Sequence, residues 1–256
     1  ESDVANSRSS LESAKAAFEK FIGLSTTNTP MPDTLPEVPA TLAEAEAKAL
    51  KNNPQIVEAH NLKEAADHAV DSNIGVLLPT VSLVGNMRRQ EGTGSFVDEI
   101  DQDELLLNVS IPLYQAGAEY SRVRESKNTY QQRRFLELDI TNEVRRNVTR
   151  AWEQFQAAKA STESNKSAID AAEIALEGVR QEQQYGARTT LDVLDAEQEL
   201  FSTRVAHVRS QRDSVVAAYN LLAIMGELTA KDFDLAVDYY DPKENLDDVE
   251  YQFIGF

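Results

Sequence analysis

A chain of 256 residues that is 41% apolar, with only 10 glycines and 8 prolines, carries enough greasy surface to fold and is not disordered as a whole. Its 43 acidic against 25 basic residues leave a formal charge of -18, which repels phosphate backbones. With no basic patch interleaved with aromatics, nucleic acid is excluded as a partner. The absence of cysteine rules out a disulfide framework, a thiol catalyst and a thiolate metal site, and suits an oxidising compartment such as a periplasm.

Residues 1–23 place Leu11, Ala14, Phe18 and Phe21 at helical spacing and close on Gly23, a glycine suited to the left-handed turn after a helix. The segment is amphipathic and charged rather than a signal peptide. A chain that starts in mid-helix without an initiating Met reads as a fragment, with any export signal outside it. Residues 24–40 hold Pro30, Pro32, Pro36 and Pro39 among serines and threonines, the composition of an extended linker. Residues 41–78 form a helical segment. Thr41-Leu42-Ala43-Glu44 fits a capping box, Asn53-Pro54 ends one helix and caps the next, and Ala59, Leu62, Ala66 and Ala69 share a face.

In residues 79–115 the period changes to two. Val81, Leu83, Gly85 and Met87 alternate with Ser82, Val84, Asn86 and Arg88, and Leu105, Leu107, Val109, Ile111 and Leu113 alternate with Asn108, Ser110 and Tyr114. Between these strands, 80–90 and 104–114, Gly92 to Ser95 and the acidic Asp98 to Glu104 are expected to form a loop. Each run has about the 9–11 residues that a tilted barrel strand needs to cross a bilayer. A soluble hairpin with one side on a core has the same pattern. The flanking helices, however, use their own seams for helix packing and leave little to cover a greasy sheet, so lipid or another subunit is the expected cover.

Residues 116–226 read as a long antiparallel coiled-coil hairpin with its tip at 185–190. Val144, Val148, Ala151, Phe155, Ala158, Thr162, Asn165, Ile169, Ala172, Leu176 and Val179 recur in steps of four and three, the heptad period that keeps one seam on a partner helix. The expected seam of the returning arm is Leu194, Gln198, Phe201, Val205, Val208, Arg212, Val215, Tyr219 and Leu222. At about 1.5 Å per residue the first arm would be a rod roughly 100 Å long. Residues 227–256, acidic and carrying Phe233, Tyr239, Tyr240, Tyr251 and Phe253, are expected to strap the base of the hairpin.

At the tip, Gly186 supplies a positive φ, Thr189 or Thr190 can cap the second arm, and Asp192 sits where a helix N-terminus favours a carboxylate. Measured from Leu194 at about 100° per residue, Asp195, Glu199 and Asp192 fall together on one stripe away from the seam. A solvated helix face would look the same. His60, His68 and His207 are the only histidines and lack metal-ligand spacing, and no phosphate loop, nucleophile elbow or dinucleotide fingerprint occurs. No cofactor and no catalytic residue is expected.

Four stretches together resemble the outer-membrane efflux protein family, the TolC-like channels of Gram-negative bacteria. They are Asn53-Pro54 leading to Leu78-Pro79, the junction Ile111-Pro112-Leu113-Tyr114-Gln115-Ala116-Gly117, the tip Tyr185 to Ala196, and Tyr219 to Gly226. The tip is the most specific match. The resemblance implies a mainly α fold with a β-hairpin. The helical hairpin forms part of an α-barrel, and two transmembrane strands, with Val81, Leu83, Met87, Leu105, Leu107, Val109, Ile111 and Leu113 toward lipid, contribute to an oligomeric β-barrel. It covers nearly all of this chain but about half of the expected protein, the first repeat being present only as residues 1–22. The family implies a homotrimer in the outer membrane, with its helices in the periplasm. It would work with a periplasmic adaptor and an inner-membrane pump or ABC transporter in efflux or type I secretion. Asp192 and Asp195 would face the pore, with Glu199 on the same stripe, and Arg188 would help hold the end closed. Gly186, Ala187, Thr189, Thr190 and Leu191 would form the adaptor-docking tip. The family's gate also uses a tyrosine upstream of the tip glycine, and the resemblance puts Tyr185 with Arg188 among the gate or tip contacts. Rival readings are a periplasmic coiled-coil adaptor, a soluble helical scaffold and a pore-forming toxin with a β-tongue.

Overall fold

The computed structural model describes residues 2–25, 35–94, 97–241, 243–245 and 249. Most of the expected linker, Ser95 of the expected loop, and Tyr251 and Phe253 of the tail lie outside these residues. The fold is mainly helical with one antiparallel strand pair: α1 (Ser2–Ile22), α2 (Leu42–Asn52), α3 (Pro54–Gly75), β1 (Thr80–Gly94), β2 (Val97–Ser110), α4 (Ala118–Gln184) and α5 (Thr190–Met225). Two compact units divide the chain, one of Val38–Gln156 with Tyr219–Phe256 and one of Glu1–Glu37 with Ala157–Ala218.

The first of these units is held at one knot. Thr41 caps α2, its hydroxyl accepting from the Glu44 N–H at 3.2 Å while the Glu44 carboxylate accepts from the Ala40 N–H. Asn53 then does two jobs. Its side-chain oxygen accepts from the N–H groups of Gln55 and Ile56, and its amide donates to the Ile224 carbonyl near the end of α5 at 2.7 Å. Lys48 and Asn52 both reach Glu227 just beyond α5. Gly226, at φ +78°, ends α5 with its chain pressed on this junction, where a Cβ would run into the Asn52 carbonyl. Ala45, Ala49, Val144, Val148, Ala151, Trp152, Phe155, Leu221, Leu222 and Met225 are all buried around it. The small alanines let helix backbones approach closely.

Along α3, Ile56, Ala59, Lys63, Ala66, Val70 and Asn73 are buried or half-buried, a three-and-four repeat. The expected face is therefore corrected in part: Ala59 and Ala66 lie inward, Leu62 is exposed, and Ala69 only edges a cavity of about 260 Å³ between α3 and α4. Alanine carries too little apolar surface to mark which of two neighbouring stripes packs.

The strand pair puts Val81 opposite Val109, Leu83 opposite Leu107 and Gly85 opposite Leu105, so these residues share one face. Leu105 lies across from Gly85, close enough for ordinary contact with a side chain at that position. The other face pairs Thr80 with Ser110, Ser82 with Asn108, Val84 with Leu106 and Asn86 with Glu104. The strands differ from expectation at both ends. The stretch expected as a loop is paired backbone up to Gly94 and Val97, with a register shift between Glu91 and Gly94. Ile111 and Leu113 lie beyond β2, exposed but outside the ladder. Backbone pairing asks nothing of side-chain polarity, so an acidic run such as Asp101 to Glu104 can be strand while reading as loop. No helix among the described residues is long and apolar enough to cross a membrane.

In the tail, Phe233 stacks on Tyr219 at 6.0 Å and the Tyr239 hydroxyl donates to the Leu235 carbonyl.

In the second unit α4 and α5 run antiparallel. The α4 seam is as the sequence indicates, with Thr162, Asn165, Ile169, Ala172 and Val179 half-buried and Leu176 buried. The α5 seam is so only in part: Leu222 is buried and Val205, Val215 and Tyr219 are half-buried, but Leu194, Gln198, Phe201, Val208 and Arg212 are exposed, and Leu200, Ser210, Ser214 and Ala218 are buried in their place. Phe201 and Val205 instead line a groove of about 830 Å³ beside Val4 and Leu11 of α1. The greasier stripe of α5 thus serves a different neighbour. The true seam is polar enough to hide: the Thr162 hydroxyl donates to the Ser210 carbonyl at 3.0 Å, and Asn165 reaches the Ala206 carbonyl.

Replacing Gly226 by Ala should lower stability by more than about 2 kcal/mol, since it combines positive-φ strain with a backbone clash. Asn53→Ala should cost about 1–3 kcal/mol through a lost cap and an orphaned buried carbonyl. Gly178→Ala, in open space within α4, should instead gain about 0.5–1 kcal/mol. Thermal or denaturant unfolding of the three variants checks the order.

Candidate functional site

The tip of the helical hairpin is built by two end motifs set back to back. At the end of α4 the Ala187 N–H donates to the Glu182 carbonyl and the Gly186 N–H to the Gln183 carbonyl, both at 2.9 Å, with Gly186 at φ +76°. That is the Schellman closure, which satisfies carbonyls a helix end would otherwise leave open. At the start of α5 the Thr189 hydroxyl accepts from the Asp192 N–H, and the Asp192 carboxylate accepts from the Thr189 N–H at 2.7 Å and the Thr189 hydroxyl at 2.8 Å. This is a reciprocal capping box with aspartate as its acid. Of the two threonines, Thr189 is the cap; the Thr190 hydroxyl accepts from Gln183.

Between the two motifs, Arg188 folds back so that its Nε donates to the Glu182 carboxylate at 2.8 Å. The Glu182 carboxylate raises the affinity of the guanidinium for its proton, with a further contribution from Asp192. The Asp192 carboxyl is held below its ordinary range, first by the Thr189 N–H, then by the Thr189 hydroxyl, and also by the charge of Arg188. The site is a line of three charges, Glu182, Arg188 and Asp192, at the very end of the hairpin. Tyr185 is 88% exposed, and Leu191 and Ala187 are exposed beside it.

The corrected α5 seam moves the carboxylate stripe. Measured from Leu200 at about 100° per residue, Asp192, Glu199 and Asp195 lie about 80–140° to one side, and Val208, Phe201, Leu194 and Val205 about 80–140° to the other. The three acids still share one side of the helix. It is a flank beside the seam, not the opposite face, and Asp192 is accordingly half-buried while Asp195 and Glu199 are exposed. Sequence reasoning found Arg188 and Asp192 but missed Glu182. Its separation from Arg188 fits no helical spacing, because a turn lies between; an acid in the last turn of a helix, where the dipole disfavours it, was the available signal.

Elsewhere, His60, Lys63 and Glu137 join α3 to α4. The His60 Nδ1 and Lys63 ammonium both lie within hydrogen-bond reach of the Glu137 carboxylate, at 2.9 and 3.2 Å. The Glu137 carboxyl is lowered by His60 first and by Lys63 as well. This is a helix clamp; among the described residues no group of three or more His, Cys, Asp and Glu could hold a metal ion.

Comparison with known proteins sets this geometry in context. The family described as "Outer membrane efflux protein" matches residues 47–227. The outer membrane efflux protein BepC of Brucella suis is 32% identical over 256 residues, covering 97% of this chain and 55% of that protein. The alkaline protease secretion protein AprF of Pseudomonas aeruginosa is 22% identical over 202 residues, covering 78% of this chain and 42% of its own length. The chain thus spans about half the length of the curated relatives it matches. The open state of the Neisseria gonorrhoeae MtrE outer membrane channel superposes with a TM-score of 0.72 at 17% identity, over 88% of this chain and 52% of that one. That likeness shows the fold.

The Asp192 carboxyl should titrate below its ordinary value of 3.8, so the cap is fully present above that pH and is lost as pH falls through the lowered value. Thr189→Val removes the hydroxyl donor and should return the midpoint toward the ordinary value, as read by NMR titration of the Asp192 carboxyl. An unchanged midpoint would remove the Thr189 hydroxyl as a cause and leave its backbone N–H.

Proposed function

The chain belongs to the outer membrane efflux protein family, and from that premise we propose that it is a subunit of a passive outer-membrane conduit serving efflux or type I secretion. The protein is placed in the outer membrane, with its helical part in the periplasm. The observation that carries the reading is the strand register. Val81, Leu83, Leu105, Leu107 and Val109 lie on one face, each more than half exposed, while Thr80, Ser82, Asn108 and Ser110 lie on the other with the less exposed pair Val84 and Leu106. Lipid suits the first face and a water-filled lumen the second. Two strands leave open edges, which a bilayer does not tolerate, so the strands close only with those of other copies or repeats. A homotrimer in which each full-length subunit supplies a second such pair closes a twelve-stranded barrel and meets that need. Family membership takes precedence over the adaptor, scaffold and toxin readings.

At the periplasmic end, the tip meets an adaptor through Gly186, Ala187, Thr189, Thr190 and Leu191, and an inner-membrane pump or ABC transporter supplies the energy. Copies of Asp192, Asp195 and Glu199 around the axis concentrate negative potential at a constriction, which favours cations. Arg188 helps hold that end closed. No bond is made or broken in this role, so no catalytic residue is assigned.

The full-length protein should fractionate with outer membranes as a detergent-soluble trimer that dissociates on heating; a soluble, protease-sensitive monomer would refute the reading. In planar bilayers, Asp192→Ala with Asp195→Ala should weaken cation preference, and Arg188→Ala should raise single-channel conductance. Selectivity and conductance that stay at wild-type levels would remove these residues from the pore.

A further inference from the structure

We propose that Glu182 is the positioning residue of the tip: it parks the Arg188 guanidinium against its own hairpin and so withholds it from the contacts that close the conduit. The inference rests on the channel reading above and adds to it a residue that the reading leaves without a role. Three observations carry it.

The first is geometry. The Schellman turn at Gly186 reverses the chain over the last turn of α4, and the same turn that ties the Ala187 N–H to the Glu182 carbonyl brings Arg188 back over the Glu182 side chain, Nε to Oε2 at 2.8 Å. The backbone thus aims the arginine at this one glutamate.

The second is placement against the helix dipole. Glu182 sits in the last turn of α4, which carries no basic residue, where partial negative charge from open carbonyls repels a carboxylate. A capping acid belongs at the other end of a helix, as Asp192 is in α5. Glu182 is an acid in a position that local helix chemistry does not favour, and Arg188 is what it serves.

The third is the accessibility of the pair. The side chains are about half exposed, 50% for Arg188 and 53% for Glu182. An exposed ion pair is weak and exchanges partners readily. A buried pair would lock the arginine for good, whereas this one can release it to a neighbouring helix. Asp192, capped by Thr189 and contributing its charge to Arg188, keeps the guanidinium near the tip during that exchange. Parking and closing are then two occupancies of one cation, and the strength of the Glu182 contact sets their ratio.

The test is single-channel conductance of the full-length protein in planar bilayers. Glu182→Gln keeps the shape and removes the charge; it should lower mean conductance roughly two-fold, the scale of a lost exposed ion pair. Glu182→Asp, which keeps the charge, should stay close to wild type. Glu182→Gln combined with Arg188→Ala should match Arg188→Ala alone, because the glutamate acts only through the arginine. If Glu182→Gln conducts like wild type while Arg188→Ala conducts more, Glu182 has no positioning role and the channel reading stands. If neither Arg188→Ala nor Asp195→Asn alters conductance or selectivity, the tip reading falls and this proposal with it.

Discussion

A pair of antiparallel strands with one apolar face cannot satisfy itself. Its outer N–H and C=O groups have no partners within the pair, and its greasy residues have nothing of its own to rest on. In this protein the problem is acute, because the register stacks Val81, Val109, Leu83, Leu107 and Leu105 on one side, Leu105 standing opposite Gly85. The adjoining helices offer no remedy: α3 spends Ile56, Ala59, Ala66 and Val70 inward. Everything else about the molecule follows from where that cover comes from. The chain belongs to the outer membrane efflux protein family, and under the conduit proposed above, lipid outside and strands of other copies or repeats at the edges would answer both needs together.

The strands start and end in helices, and the ends of α2, α3 and α5 meet at the knot around Asn53 and Gly226. One side chain caps α3 and holds the end of α5, while the absence of a side chain at Gly226 lets the two backbones touch. Lys48 and Asn52 on Glu227 add polar ties around it. The buried alanines, Ala45, Ala49, Ala59 and Ala151, show what such close approach demands of composition. Bulk is supplied beside them by Leu221 and Met225 on α5 and by Val144 and Val148 on α4, all fully buried.

What the sequence discloses depends on whether packing is paid for in hydrophobicity. The α4 seam was legible because Val144, Val148, Phe155, Ile169 and Leu176 announce it. The α5 seam was legible only in part, because it closes on Ser210, Ser214 and Ala218, and the louder stripe of Leu194, Phe201 and Val208 points elsewhere. The same logic covers the strands. The alternating part was visible, but its continuation through Asp101, Asp103 and Glu104 was read as loop because ladder hydrogen bonds leave no trace in side-chain polarity. At the tip, Gly186, Thr189 and Asp192 carry local signals of turn and cap, and they were found. The Glu182 to Arg188 contact crosses a reversal of the chain, and no periodicity encodes it.

Three different kinds of side chain divide the circumference of α5. The helix is a three-sided beam: a serine-lined edge hydrogen-bonded to α4, an oily side toward α1, and a side bearing Asp192, Asp195 and Glu199. Such a beam is chiral in cross-section, so turning it over would bring carboxylates to the oily neighbour and phenylalanine to water. Any wall assembled from it therefore has a fixed inside and outside and one sense of circulation, dictated by the order of side chains around a single helix.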